Sequence, residues 1–274
     1  MTRPEPENVT RVTCVGTGTI GGGWAAYFLS RGLDVTATDP GKDAELMLKR
    51  IIDGAWPKLQ SLGLAPGADP SRLCFTPHLE EAVADAEFIQ ESAPDEEDLK
   101  IELFEHIGKA APAHVVVSSS SSKFLPSRIS RNCAHPERCI VGHPFAPSYL
   151  IPLVEVVGGE KTSDDAIGWA ERFYRHFGKK PLRLRKEIEA YVANRLQHAI
   201  LAEAANLVDQ GICDFKDIDD AVAYGPGLRW AFAGPPTCYH MGGGKGGVRH
   251  MINHFGWSYG SKDNAQALLD SVDD

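Results

Sequence analysis

A chain of 274 residues with a formal charge of −9, and no lysine- or arginine-rich block, excludes nucleic acid and anionic membrane surfaces as main partners. Its 43% hydrophobic content supports a core large enough for one or two domains. Six cysteines without a C-x-x-C pair, an N-terminus (M-T-R-P-E-P-E-N) lacking the apolar core of a signal peptide, and no run long enough to span a bilayer lead us to expect a soluble cytoplasmic protein.

After a polar tail to about Asn8, V-T-R-V-T-C-V reads as a short β-branched strand, followed at once by Gly16-T-Gly18-Thr19-Ile20-Gly21 and a helical pattern through Trp24, Tyr27 and Phe28. In such a turn Gly16 permits the sharp bend, Gly18 lets the backbone approach a pyrophosphate, and Gly21 allows close packing of helix on strand. The helix start would meet the phosphates with its free N–H groups and positive dipole end. A lone G-x-G-x-x-G is a weak signal. Here it has a strand before it, a helix after it, and a second strand, D-V-T-A-T, ending in Asp39. Asp39 would accept hydrogen bonds from the adenosine ribose and repel a 2′-phosphate, so the expected cofactor is NAD rather than NADP.

Helical spacing continues from Pro40 to about Leu64. After a proline- and glycine-rich turn comes a short strand at Leu73 to Phe75, then the strand A-E-F-I-Q-E-S-A, the helix L-K-I-E-L-F-E-H-I, and the strand A-H-V-V-V running into five serines. Strands alternating with helical patterns predict an α/β fold, a doubly wound parallel sheet of Rossmann type with helices on both faces. Ligands of such sheets lie beyond the carboxyl ends of the strands, which is where the serine run and His143 fall.

The stretch G-H-P-F-A-P-S-Y-L-I-P-L-V-E-V-V sets His143 twelve residues before Glu155, inside an apolar run that reads as a buried strand. A carboxylate there is costly to desolvate and needs a partner. Held by Glu155, His143 would have a fixed tautomer and could take a proton from a substrate hydroxyl. The stretch by itself equally allows Glu155 to pin a loop through backbone N–H groups, with His143 an ordinary strand-end histidine.

The glycine loop with Asp39, F-I-Q-E-S-A-P-D followed by Lys100, the serine turn, G-H-P-F-x-P, L-V-E-V-V-G-G and A-N-R-L-Q together resemble the 3-hydroxyacyl-CoA dehydrogenase superfamily, in order and spacing over residues 11 to 200. The resemblance implies that His143 is the catalytic base, Glu155 its partner, and Ser122 and Asn194 contacts to the substrate hydroxyl or nicotinamide. It also implies that Asp95 and Lys100 contact the adenosine half of the cofactor. One position departs from the family pattern: the asparagine usual three residues after the histidine is Ala146 here.

A domain boundary is expected near Glu187, giving an NAD-binding domain over 1–187 and an all-helical substrate and dimerisation domain over 188–274, a region that in this superfamily usually makes homodimers. Y-V-A-N-R-L-Q-H-A-I-L-A-E-A-A-N-L-V-D-Q-G predicts a helix ending at Gly211, and Asp214 caps a second over residues 214 to 224. Without the resemblance, Asn194 reads as a capping or surface amide. Within the superfamily, G-P-G-L-R-W-A-F-A-G-P-P-T-C-Y and G-G-G-x-x-G-V-R-H resemble the L-carnitine dehydrogenases, with weaker likeness to the L-gulonate 3-dehydrogenases and their non-catalytic lens relative. No basic cluster suited to coenzyme A is evident. A small hydroxy acid is therefore the expected substrate. Its carboxylate suits the planar fork of Arg229, and a trimethylammonium suits the ring faces of Trp230, Phe232, Tyr239 and Trp257, each of which taken singly is better read as core. The G-G-G-K-G-G run around Lys245 is not a P-loop, and His250 and His254 lack the further ligands of a metal site, so no metal is expected. The chain also ends sooner after W-S-Y-G-S than those dehydrogenases do, and the segment they have beyond it is one that could bear on the dimer interface or the closure of the substrate pocket.

Overall fold

The computed structural model describes residues 3–255 and 262–270. Trp257 lies outside the described residues. The chain divides into two compact units, Met1–Arg195 and Leu196–Asp274.

The first unit alternates strands and helices: β1 (Arg11–Val15), α1 (Thr19–Ser30), β2 (Asp34–Thr38), α2 (Ala44–Leu62), β3 (Leu73–Thr76), α3 (Leu79–Val83), β4 (Phe88–Glu91), α4 (Glu97–Ala110), β5 (Val116–Ser119), α5 (Pro126–Ile129), β6 (Cys139–Pro144), β7 (Leu153–Gly158), α6 (Asp164–His176) and β8 (Lys180–Arg183). They form one eight-stranded sheet in the order β3-β2-β1-β4-β5-β6-β7-β8. Every neighbouring pair is parallel except β6 and β7. The doubly wound, mostly parallel sheet is the expected one, and β7 enters it antiparallel because the connection 145–152 holds no helix and is too short to carry the chain back for a parallel crossover.

The central strands are apolar on both faces because both faces are covered. In β4, Phe88 packs with Phe28 of α1 and with Trp169 and Phe173 of α6, while Ile89 belongs to the cluster on the other face, with Phe104 and Ile107 of α4. Val116 and Val117 of β5 divide in the same manner. Polarity enters where the strands end. Gln90, Glu91, Ser118 and Ser119 are all fully buried at the carboxyl ends of β4 and β5, the edge at which such sheets bind ligands.

The turn after β6 is anchored from below. Lys179 is buried, with Nζ donating to the carbonyls of Ser148 and Ile151 and lying 3.9 Å from the centre of the Tyr27 ring. Burial, with a smaller push from the Arg31 charge, lowers its pKa to about 7. On the other side of the turn, the Ser148 hydroxyl donates to the Ile20 carbonyl, tying the segment that follows His143 to the first turn of α1.

Helix α7 (Tyr191–Asp209) starts in the first unit and continues into the second, whose described residues form helices and no strand: α8 (Phe215–Ala223), α9 (Pro226–Trp230), α10 (Pro235–Gly242), α11 (Gly247–Phe255) and α12 (Lys262–Asp270). Asp214 caps α8 as its position predicts, accepting from the Asp217 N–H while the Asp217 carboxylate accepts from the Asp214 N–H. Leu201, Ile212, Phe215, Leu228, Phe232 and Met241 of this unit are exposed.

Candidate active site

The glycine loop has the geometry its spacing predicts. Gly16 sits at φ +86°, and a Cβ there would lie 2.7 Å from the backbone of Ser92 and Ala93, so only glycine fits. A Cβ on Gly21 would fall 1.8 Å from the Gly16 carbonyl oxygen, which forces helix and strand into contact. Above Gly18, by contrast, there is open space. Thr19 and Ile20 form the first turn of α1, whose leading N–H groups have no partner within the helix. Open space above Gly18 at a helix N-terminus fits a pyrophosphate.

Asp39 follows β2 on one side of this loop. Its Oδ2 accepts from the Thr17 N–H (2.9 Å) and hydroxyl (3.2 Å), and Oδ1 accepts from the Gly41 N–H (2.9 Å). The half-buried carboxylate is thus fixed beside the loop where a dinucleotide ribose lies in this fold. Asp39→Asn keeps an acceptor for the Thr17 N–H and removes the charge. It should narrow the preference for NAD over NADP by about tenfold or more, read as the ratio of kcat/KM values for the two cofactors.

His143 and Glu155 are directly opposed residues of the antiparallel pair β6–β7. Cross-strand partners project on the same face, so the twelve-residue spacing is the signature of a hairpin that brings the two side chains together. The Nδ1 of His143 lies 2.9 Å from Glu155 Oε2. The other oxygen, Oε1, accepts from the N–H groups of Val192 (2.9 Å) and Ala193 (3.0 Å) in the first turn of α7. Both readings open in the sequence are therefore met at once: Glu155 holds the histidine and pins backbone N–H groups. Burial acts to raise the Glu155 carboxyl, but the His143 hydrogen bond, the Ala193 and Val192 N–H groups and the His143 charge outweigh it and hold the pKa below the ordinary carboxylate value. Ionised Glu155 accepts only, so Nδ1 carries hydrogen and Nε2 is left as the basic nitrogen.

Tyr191, whose role has no signature in the sequence, closes one side of the pair. It is fully buried, its ring centre is 5.2 Å from that of His143, and its hydroxyl donates to the Phe124 carbonyl (2.8 Å). Ala190 and Tyr191 both take positive φ, and the chain turns there into α7. Asn194 is half-buried one residue beyond the N–H groups that Glu155 holds.

Asp95, Lys100 and Ser122 meet in a second cluster, at the ends of β4 and β5. Lys100 is buried, donating to Glu91 Oε1 (2.8 Å) and the Ala93 carbonyl (3.0 Å), with Asp95 Oδ1 at 3.6 Å. Asp95 accepts from the Ser121 hydroxyl (2.8 Å) and from the Ser122 hydroxyl (2.9 Å) and N–H (3.1 Å). Burial would raise its carboxyl, yet the Ser121 bond, the Lys100 charge and the Ser122 bonds together lower it. Glu91 is the member missed from sequence. The clue is the one that exposed Glu155, a carboxylate ending the buried strand F-I-Q-E. Lys100 is thus engaged by the protein itself, and Ser122 is the exposed end of the cluster.

Four of the expected substrate-binding residues lie in the second unit. Arg229 and Trp230 end α9, Tyr239 is on α10, and Phe232 stands between the helices at 93% exposure. No ring contact joins Trp230, Phe232 and Tyr239 among the described residues. Nor does any group of three or more His, Cys, Asp or Glu side chains among them suit a metal ion.

A glycine-floored dinucleotide crevice beside a histidine–carboxylate pair defines an NAD-dependent dehydrogenase of a hydroxyl group. The chain belongs to the 3-hydroxyacyl-CoA dehydrogenase family, whose NAD binding domain matches residues 11–188 and whose C-terminal domain matches residues 191–273. It is an NAD-dependent oxidoreductase acting on a CH–OH group of a small molecule. An L-carnitine dehydrogenase of Streptomyces coelicolor is 52% identical over 92% of this chain and 79% of its own length. One of Pseudomonas aeruginosa is 47% identical over 94% and 83%. Among solved structures, 5-formyl-3-hydroxy-2-methylpyridine 4-carboxylic acid 5-dehydrogenase, described as an NAD+-dependent dismutase, superposes with a TM-score of 0.81 at 29% identity, covering 88% of this chain and 76% of that one. No helix among the described residues is long and apolar enough to cross a membrane.

Proposed function

We propose that the protein oxidises the 3-hydroxyl of L-carnitine to 3-dehydrocarnitine, in the cytoplasm and as a homodimer. The observation that carries the substrate is the likeness, at 47–52% identity over more than nine-tenths of the chain, to proteins named L-carnitine dehydrogenase. The chemistry rests on the opposed His143 and Glu155.

NAD, when bound, supplies the acceptor for the hydride that leaves the carbinol carbon. His143 takes the hydroxyl proton at Nε2 as that C–H bond breaks and the C=O bond forms, a positioned-base contribution of about 10²- to 10⁴-fold. Glu155 stabilises the imidazolium that results. Ser122, steadied by Asp95, and Asn194 orient the hydroxyl, while Asp95 and Lys100 shape the wall of the cofactor crevice. Arg229 offers a bidentate fork to the carboxylate. The ring faces of Trp230, Phe232 and Tyr239 suit a trimethylammonium, which has no N–H to donate, at about 0.5–2 kcal/mol per ring.

The test is NADH formation from L-carnitine, D-carnitine, L-gulonate and 3-hydroxybutyryl-CoA in one spectrophotometric panel. L-carnitine should exceed the others in kcat/KM by about a hundredfold or more. Turnover of another member of the panel, with L-carnitine inert, would replace the substrate assignment and leave the dehydrogenase chemistry standing.

A further inference from the structure

Inside the first unit a line of polar groups runs up from the core to the cofactor crevice, and its last member is Ser92. The line starts at Tyr174, whose phenol meets the Ser118 hydroxyl (2.8 Å) and donates to Gln90 Oε1 (2.6 Å). Burial raises the Tyr174 pKa, so the phenol keeps its proton and remains a donor. With its carbonyl end taken, Gln90 turns Nε2 to Ser120 Oγ (2.9 Å). Ser120 Oγ also accepts from the indole N–H of Trp24 (3.2 Å) and stands 2.8 Å from Ser92 Oγ.

A hydroxyl has two acceptor lone pairs and one hydrogen. Both lone pairs of Ser120 are taken, so its hydrogen goes to Ser92. The hydrogen of Ser92 then has no acceptor among the described residues and points away from the network. Its backbone is fixed by the Ser92 N–H donating to the Val15 carbonyl (2.7 Å). Its Cβ lies 3.2 Å from where a Cβ on Gly21 would stand, and its own C and O crowd Gly16. Ser92 is therefore against the glycine loop, just past β4. Asp39 lies on the other side of β1, past β2. Between β1 and β4 the order of the sheet reverses, and that is where a dinucleotide crosses from its adenosine half to its nicotinamide half.

We infer that Ser92 is a cofactor-binding residue whose hydroxyl donates a hydrogen bond to the segment of NAD formed by the nicotinamide-side phosphate and the nicotinamide ribose. Trp24, Tyr174 and Gln90, all fully buried, orient that donor through Ser120. Their arrangement accounts for polar side chains that are otherwise costly to bury at the centre of the sheet.

The experiment is equilibrium binding to the whole protein, by calorimetry for NADH and by displacement of NADH for ADP-ribose and AMP, with unfolding midpoints measured without ligand. Ser92→Ala should weaken NADH and ADP-ribose by about fivefold to tenfold and leave AMP within about twofold, while the unliganded midpoint falls slightly because Ser120 loses its acceptor. Ser92→Cys keeps the shape with a weaker donor and should show the same pattern to a smaller degree, so it carries the test if the alanine variant does not fold. Unchanged NADH affinity in both variants would overturn the inference. So would an equal loss for AMP, which carries neither the second phosphate nor the second ribose.

Discussion

Replacing His143 with alanine should lower kcat by about 10³-fold while NADH affinity stays within about twofold, the first to be read from steady-state rates and the second from calorimetry on the same preparation. The expectation follows from where the ring sits. His143 is at the end of β6, its Nδ1 committed to Glu155, and the groups that form the glycine loop are on other elements. Removing the ring deletes the proton acceptor and leaves the loop untouched. It also leaves Glu155 buried without its partner, which costs stability of about 3–5 kcal/mol when a buried pair is broken from one side. His143→Gln separates the two effects. The amide can still donate to Glu155 Oε2 and so keep the fold, yet it cannot take a proton at neutral pH. Both variants should lose turnover alike, with the alanine variant alone melting earlier. Turnover within about tenfold of the native protein in the glutamine variant would remove His143 from the role of base.

Much of the first unit is legible in the sequence because its elements carry local signals. The glycine loop announces itself by spacing, the strands by apolar runs buried on both faces, and the His143–Glu155 pair by the expense of a carboxylate in L-V-E-V-V. What is not legible is set by tertiary pairing. The antiparallel entry of β7 depends on the shortness of the connection 145–152, and the partner of Lys100 depends on which strand lies beside which. Lys100 reads as a cofactor contact from its motif. In the fold its ammonium donates to Glu91 and the Ala93 carbonyl, and the exposed end of that cluster is Ser122, which donates to Asp95. Helix α6 and strand β8 are likewise less legible, although α6 carries Ser163 as its cap and the aromatics Trp169, Phe173 and Tyr174 that fill one face of the sheet. In the second unit the aromatic positions were legible as residues, but their chemistry was not, since a ring that binds a cation and a ring that packs in a core have the same spacing.

Glu155→Gln should be nearly as damaging as losing the histidine, about 10³- to 10⁴-fold in kcat, and for a reason read from hydrogen bonds rather than from charge alone. Two backbone N–H groups, those of Val192 and Ala193, converge on Oε1, and one imidazole nitrogen faces Oε2. A glutamine must give its single carbonyl oxygen to the two N–H groups, because the opposite orientation would set an NH₂ against both. Its NH₂ then meets His143 Nδ1, which has to become an acceptor, and the ring hydrogen moves to Nε2, the atom that is to receive the substrate proton. A fixed wrong tautomer costs about 10⁴-fold where an acid is exchanged for its amide in a comparable triad. The same substitution has a signature in stability. The fold holds Glu155 below its unfolded pKa of about 4.3, so the stability that its ionisation contributes is complete above that value and is lost as pH falls through the lower folded one. Glu155→Gln should therefore lower stability by about 1–3 kcal/mol at neutral pH and flatten its fall on acidification, as read from urea midpoints between neutral and strongly acid pH. Full turnover in the glutamine variant would sink the tautomer argument. An acid limb identical to that of the native protein would show that Glu155 is not the group whose protonation weakens the fold.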